Sequence, residues 1–452
     1  MTPNDLNSGP TIESNNQRPT RTRYWVVVFA VTLAMITYID RVCISQAAPH
    51  IRDALDLDEA QMGKIFAAFG LAYALFEIPS GFLGDWLGPR KVLMRVVLWW
   101  SFFTAATGRV WSFWSLWVTR FMFGAGEAGC FPNLTKAFTL WLPKAERTRA
   151  QGIMWMSARW GGAITPLLVV WVFLLVDWRN AFLLFGGIGV VWAVIFYIWF
   201  RDYPRDHRGV NTAELELLRE NETNLTGHAS MPWGRLVASR TVWALWGQYF
   251  CISYGWYFYI TWLPTYLQEQ RGLTLEKGGW MAGAPLFLGG FGCLLAGFLL
   301  GWLVRHSISV TLSRRLLGFV GCTAAAGLLL WSAYIKDARL AMVSMGLAGF
   351  ANDLTLPGAW STCMDVGGRF AGTLSGSMNM MGNFGGMAGP LVVGYILDST
   401  HNWEITFWIS SAIYFLGGLC WLIIDPVTPL EDAKAEVPAP APAPRESVPA
   451  RT

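Results

Sequence analysis

Hydrophobic and polar positions alternate along this chain in long blocks. Apolar stretches recur at 24–47, 62–84, 91–110, 114–140, 150–176, 180–200, 242–267, 279–303, 313–334, 338–364, 371–397 and 403–424, mostly separated by short polar turns. A helix of about 20 apolar residues crosses a bilayer, so the pattern predicts twelve membrane-spanning helices. One interruption is long. Residues 201–240 are polar and contain NTAELELLRENE, which predicts a surface helix. The implied organisation is a tail over 1–23, a six-helix half over 24–200, a linker over 201–241, a second six-helix half over 242–425 and a tail over 426–452. The last tail is Pro/Ala-rich, a composition that cannot pack a core, and we expect it to be disordered. The predicted fold class is an all-α polytopic membrane protein built from two six-helix pseudo-repeats.

Composition sharpens this reading. Apolar residues make up 54% of the 452 positions and charged residues only 14%. Soluble domains carry about 25% charged residues, so the chain lacks the polar surface to coat itself in water. The net charge of +4 is mild, and the basic residues form no stripe, which argues against nucleic acid as a partner. Cys43, Cys130, Cys251, Cys293, Cys322, Cys363 and Cys420 lie in apolar stretches without metal-ligand spacing, where cysteine acts as a small hydrophobe. We expect no disulfide, metal or cofactor. The five histidines sit in polar segments or at segment ends, so no buried histidine relay is available. The first 23 residues have no apolar core of a signal peptide. Basic residues gather on one set of loops (Arg18, Arg21, Arg23, Arg90, Lys91, Arg95, Lys144, Arg147, Arg149, six arginines of the linker) and thin out on the other. The positive-inside rule then places both termini in the cytoplasm.

The second predicted helix ends in GFLGDWLGPRKV, a spacing of Gly81, Asp85, Gly88, Arg90 and Lys91. Gly81 permits close helix contact and Gly88 a tight turn. Asp85 can accept hydrogen bonds from a neighbouring helix N-terminus and latch that side shut. A charged turn is the plainer alternative. Deeper in the membrane, TRFMFGAGEAGCFP places Arg120 and Glu127 seven residues apart, about 10 Å along one helix face. The first helix holds adjacent Asp40 and Arg41 well inside its span. Each intramembrane charge costs roughly 2.5–3.5 kcal/mol and persists only beside a partner or a wet cavity. Arginine forks suit carboxylate substrates. Desolvated carboxylates beside cations suit proton carriage. A static ion-pair network is the alternative.

Other polar residues in the predicted spans are candidates. Arg159 either meets a second carboxylate or a hydroxyl of a substrate, or neutralises Glu77 or Asp353. Asp353 is a further coupling site or a salt-bridge partner. Trp360, seven residues on, stacks on substrate or packs. Pro357 between them predicts a kink. Asn379 and Asn383 lie one turn apart and suit sugar hydroxyls or interhelical hydrogen bonds. Gln248, Tyr254 and Tyr257 are weaker candidates from an aromatic-rich helix.

These stretches, with YIDRVCISQAAPHI, AFGLAYALFEIPSGFLGD, WLPKAERTRAQG and YGWYFYITWLPTYL, resemble the major facilitator superfamily. Within it they resemble the anion:cation symporter family of organic-anion importers. The resemblance implies substrate binding by Arg41, Arg120 and Tyr73 and proton coupling by Asp40 and Glu127, with Glu77 a departure where a neutral polar residue is expected. Glu77, like Asp353, is a candidate for an additional coupling site. It also implies a second latch in the other half, but Gly301 stands where its aspartate would be. No nucleophile–base pair suggests an enzyme. The expected function is alternating-access import of an organic anion with protons, most of all a sugar acid such as a hexuronate, aldonate or aldarate. Import of aromatic or dicarboxylic acids (phthalate- or tartrate-like) and a transporter-derived membrane sensor are the alternatives. The expected setting is a monomer among lipids of a bacterial inner membrane.

Overall fold

The computed structural model describes residues 18–223, 233–272, 281 and 283–430. Most of both predicted tails and residues 279, 280 and 282 of the predicted span 279–303 lie outside them. The described residues are almost entirely helical. In chain order the helices are α1 (Arg23–Leu55), α2 (Glu59–Leu87), α3 (Pro89–Thr107), α4 (Phe113–Glu127), α5 (Cys130–Trp141), α6 (Lys144–Leu175) and α7 (Trp178–Trp199). The linker contributes α8 (Thr212–Thr223) and α9 (Trp233–Ala238). The second half contains α10 (Arg240–Thr261), α11 (Leu263–Glu269), α12 (Ala284–Arg305), α13 (Val310–Tyr334), α14 (Ala338–Asp353), α15 (Leu356–Gly367), α16 (Ala371–Thr400) and α17 (Trp403–Ile423). Counting α4/α5, α10/α11 and α14/α15 as one crossing each gives twelve transmembrane spans, and the protein is a multi-pass membrane protein. Large apolar side chains such as Trp111, Leu174, Trp171 and Leu175 face outward, as a lipid-covered surface requires.

Three predicted spans are broken helices. Pro132 lies in the first turn of α5, where its missing N–H opposes a continuous ladder from α4. Asn133 stabilises the break by donating to the Gly129 and Ser80 carbonyls at 2.7 and 3.1 Å. Pro357 stands at the start of α15, so the kink predicted there is a full interruption. The two breaks fall at corresponding spans of the two halves: α4 ends on Glu127 and α14 ends on Asp353. A carboxylate at a helix C-terminus faces the negative end of the helix dipole, so both need a cation close by.

The halves meet along α2–α16 and α6–α12. Small residues set the spacing. A Cβ at Gly372 would lie 2.7 Å from the Gly81 carbonyl oxygen, and one at Gly376 equally close to that of Glu77. At the Asp85 end this seam is closed by charge. Asp85 accepts from the Gly372 and Thr373 N–H groups at 3.0 and 2.7 Å and from the Thr373 hydroxyl at 2.7 Å. Lys136 lies 3.3 Å from the same carboxylate and donates to the Arg369 carbonyl. Asp365 joins Arg147 of the first half at 3.0 Å and Arg314 of the second at 2.6 Å.

The rest of the GFLGDWLGPRKV motif serves a different contact. Gly88 turns the chain between α2 and α3 with φ 85° and ψ 146°. Arg90 donates to the Tyr197 carbonyl from Nε and Nη2 at 3.1 and 2.7 Å, and its backbone N–H reaches Asp202 at 2.8 Å. Packing over this turn pushes the Asp202 carboxyl up from its usual value by desolvation, against the opposing pull of the Arg90 N–H. Gly81 and Asp85 therefore reach across the halves, whereas Gly88 and Arg90 stay within the first. A side chain at Gly88 would occupy a backbone region that costs about 1–3 kcal/mol. Gly88→Ala should lower thermal stability in detergent by that amount. Gly187→Ala, where an added Cβ meets nothing within 4 Å, should be close to neutral.

Candidate functional site

A cavity of about 640 Å³ lies between the halves. Its deep wall contains Arg41, Tyr73, Arg159 and Asn379. It then follows α2 to Gly63 and α16 to Leu391, toward the end opposite Asp85. The bundle is thus closed at the Asp85 end and hollow beyond its middle.

Two arginines reach this wall, and each is held by the carboxylate that ends a broken helix. Arg41 donates from Nε to Glu127 Oε1 at 3.0 Å, and its Nη2 contacts the same oxygen. The rings of Tyr73, Phe69 and Tyr38 surround its guanidinium at 4.9, 5.2 and 5.3 Å. Glu127 is fully buried, while the Arg41 side chain keeps 23% of its surface exposed. Arg159 binds Asp353 across the halves with two bonds of 2.7 and 3.0 Å. It stacks 3.7 Å from the Trp256 ring centroid and reaches the Tyr38 hydroxyl at 3.4 Å. Tyr38 therefore stands between the two cations.

The remaining predicted residues lie behind the wall. Arg120 is buried with its guanidinium 4.1 Å from the Phe123 centroid, and its Nε and Nη1 make no hydrogen bond among the described residues. Asp40 accepts from Trp100 Nε1 at 3.1 Å through one oxygen; its other oxygen and Glu127 Oε2 accept none. Glu77 is fully buried and bonded to the amides of Asn379 and Asn383. Trp360 is fully buried, donates to the Tyr249 hydroxyl at 3.0 Å and does not line the cavity. Gln248 and Tyr254 do not line it either, whereas Tyr257 does.

Seven ionisable side chains thus occupy the bundle centre. Left unpaired, they would cost roughly 20 kcal/mol on insertion scales, more than the whole stability of a typical domain, about 5–15 kcal/mol. Pairing is therefore a condition of folding. Lone oxygens on Asp40 and Glu127 and lone N–H groups on Arg120 leave the network able to take up a proton or an anion. Among the described residues, no cluster of His, Cys, Asp and Glu suits a metal. Sequence reading overlooked Tyr38, Trp256 and Lys136. Tyr38 carried a usable signal, since it precedes Arg41 by three positions and shares its face.

Comparison with known proteins agrees with this architecture. The family model described as Major Facilitator Superfamily matches residues 30–390. The chain is 36% identical to the probable sulfoacetate transporter SauU of Cupriavidus necator over 92% of its length and 97% of that relative. It is 30% identical to the D-galactonate transporter of Escherichia coli O6:H1 over 91% of its length and 98% of that relative. The probable galactarate/D-glucarate transporter GudP of Escherichia coli K12 is also 30% identical, with 86% and 90% covered. Among solved structures, the proton:xylose symporter XylE superposes with a TM-score of 0.71 at 13% identity, covering 90% of this chain and 97% of that one. FucP in its outward conformation superposes with a TM-score of 0.66 at 15% identity, covering 89% and 99%.

Removing one partner of a buried ion pair costs about 3–5 kcal/mol, whereas replacing both with apolar groups is often neutral. Asp353→Leu alone should therefore destabilise the protein strongly, and Arg159→Met with Asp353→Leu should recover most of the loss. A double-mutant cycle on thermal unfolding measures this coupling. Additive losses would remove the ion pair as a structural element.

Proposed function

Because the chain belongs to the Major Facilitator Superfamily of membrane transporters, we propose that it imports an organic anion in symport with protons by alternating access. The observation that carries this reading is the placement of Arg41, on the cavity wall and bonded to Glu127 at once. A guanidinium shared in this way can bind either the protein's own carboxylate or a substrate's. The proton decides between them.

With the Asp85 end on the cytoplasmic side, as the distribution of basic residues indicates, the cavity faces outward. Protons arriving from outside neutralise Glu127 and Asp40. Arg41 is then free to hold a carboxylate through its two-pronged fork, with Arg120 as the second cation behind it. Tyr73 and the amide of Asn379 line the same wall and suit hydroxyl groups of a substrate. Charge at the centre is now balanced by substrate, and the halves rock about it. The Asp85 contacts to Gly372 and Thr373 break, and the outer side closes. Loss of the protons to the cytoplasm restores both carboxylates, which repel the anion and reclaim Arg41. Both termini are placed in the cytoplasm of a bacterial inner membrane, with the protein acting as a monomer.

A sugar acid is the leading substrate class. Three features support it: a cavity of about 640 Å³, its polar amide wall, and the galactonate and glucarate named for two relatives. A short anion with two charged ends is the second reading. Arg159 lies on the wall one tyrosine away from Arg41, and the most identical of the relatives described above is named for sulfoacetate. Uptake of D-galactonate, D-glucarate, sulfoacetate and phthalate into proteoliposomes under an inward pH gradient separates these. Preference for phthalate would overturn the sugar-acid reading and favour the two-charge one.

Two outcomes are expected of variants. Arg41→Ala should weaken binding of the transported anion by about 2–5 kcal/mol, the usual consequence of truncating a buried charged hydrogen bond. Glu127→Gln imitates the protonated acid. It should bind the anion and exchange labelled for unlabelled substrate, yet fail to accumulate it on a pH jump. If Glu127→Gln, Asp40→Asn and the double variant all still accumulate substrate, neither carboxylate couples transport to protons.

A further inference from the structure

The proposed cycle leaves Glu77 without a task. Its carboxyl is fully buried on α2, eight residues from Asp85 and so about 12 Å above it along the helix. It occupies the seam between the halves, directly beneath the cavity. Asn383 Nδ2 lies 3.0 Å from Glu77 Oε2, and Asn379 Nδ2 bonds Oε1. Both amides come from α16 of the other half, and both also line the cavity.

Charge counting singles out this group. The centre contains four carboxyls, Asp40, Glu77, Glu127 and Asp353, against three guanidiniums, Arg41, Arg120 and Arg159. Glu127 and Asp353 have their own arginines. Asp40 and Arg120 act on one another through space. Glu77 alone among the four has neither an arginine partner nor a cation left over for it. Its surroundings agree. From α1 and α4 it senses Arg41 and Glu127, which already neutralise each other, and α10 contributes the uncharged phenols Tyr249 and Tyr257. Tyr73 lies one turn away on its own helix. On α5, Pro132 packs near Gly376 and Lys136 is engaged by Asp85 and the Arg369 carbonyl. Arg95 of α3 is exposed. An ionised carboxylate sealed here would be held by two amide hydrogen bonds alone, with no countercharge. A neutral acid fits, because asparagine amides both donate and accept and which atom points where is set by the network.

We propose that Glu77 carries a proton in this conformation and is a further proton-exchange site, linked to the cavity through Asn379 and Asn383. The inference rests on the transport reading for its purpose. The linkage is mechanical and simple. A substrate hydroxyl that engages either amide from the cavity side competes with Glu77 for the same group. The carboxyl then bonds its remaining partner, and its proton affinity changes with substrate occupancy. When the α2–α16 seam parts during rocking, the carboxyl is exposed toward the Asp85 side, where its proton can leave.

Infrared difference spectroscopy of the purified full chain tests this without any ligand. A neutral carboxylic acid has a carbonyl stretch well separated from that of a carboxylate. Wild type at neutral pH should show such a band, and Glu77→Gln should lose one component of it. Asn383→Ala should keep the component and shift its frequency, since a hydrogen-bond partner is gone. Addition of D-galactonate or sulfoacetate to wild type, whichever is transported, should shift it too. Identical spectra for wild type and Glu77→Gln would overturn the proposal, as would a component unmoved by Asn383→Ala. Absence of uptake of all four anions of the uptake panel by wild type would overturn the transport reading instead, and the ligand-free spectra would still decide the state of Glu77.

Discussion

The ion pair between Arg41 and Glu127 is the constraint on which the rest of the structure turns. Neither charge is tolerable alone at membrane depth. Together they are stable, but the pair is incomplete: Glu127 retains one oxygen without a partner, and Arg41 retains a face on the cavity. A pair saturated on every side would be a strut. In the proposed cycle the open side makes the pair a switch, because a proton from one direction and an anion from the other can both take it apart. The aromatic cage of Tyr38, Phe69 and Tyr73 keeps the guanidinium in place while its partner changes.

The two halves use the same device for different ends. Each breaks a transmembrane helix directly after an acidic residue, and each pairs that residue with an arginine of the first half. Arg41–Glu127 lies wholly within the first half, so it can open without moving the halves. Arg159–Asp353 crosses between them, so its strength bears on their relative position. Asp85 and Asp365 close one end by similar cross-half contacts. Under the proposed alternating-access cycle, a bundle held at one end by charge and hollow at the other is biased to one side, and each cross-half contact becomes a place where binding energy can act.

Much of the fold was legible because the bilayer imposes its own period. Runs of about 20 apolar residues suffice for twelve spans. The breaks were harder to read. Pro357 predicted a kink where the helix is in fact interrupted, and α4/α5 reads as one apolar run, since Gly129 and Pro132 sit among residues as hydrophobic as the helix itself. Arg41, Arg120, Asp40 and Glu127 were recognisable as a group because charge inside a span is rare. Who pairs with whom was not recognisable. Glu127 takes Arg41 from another helix rather than Arg120 two turns away on its own, and Asp353 finds Arg159 across 194 positions. Such choices follow from how helices are rotated against one another, which local sequence does not encode. Lys136 was missed for the same reason, whereas Tyr38 was legible from its place one turn before Arg41.

If proton and anion compete for Arg41, binding must carry the signature of that competition. The most direct measurement is the affinity of purified protein for D-galactonate or sulfoacetate, whichever is transported, across a range of pH by calorimetry. Protonating Glu127 frees the guanidinium, so affinity should rise as pH falls, by up to about tenfold per pH unit for one linked proton. Binding should be accompanied by proton uptake from the buffer. Affinity that is independent of pH, with no proton taken up on binding, would contradict the account at its centre.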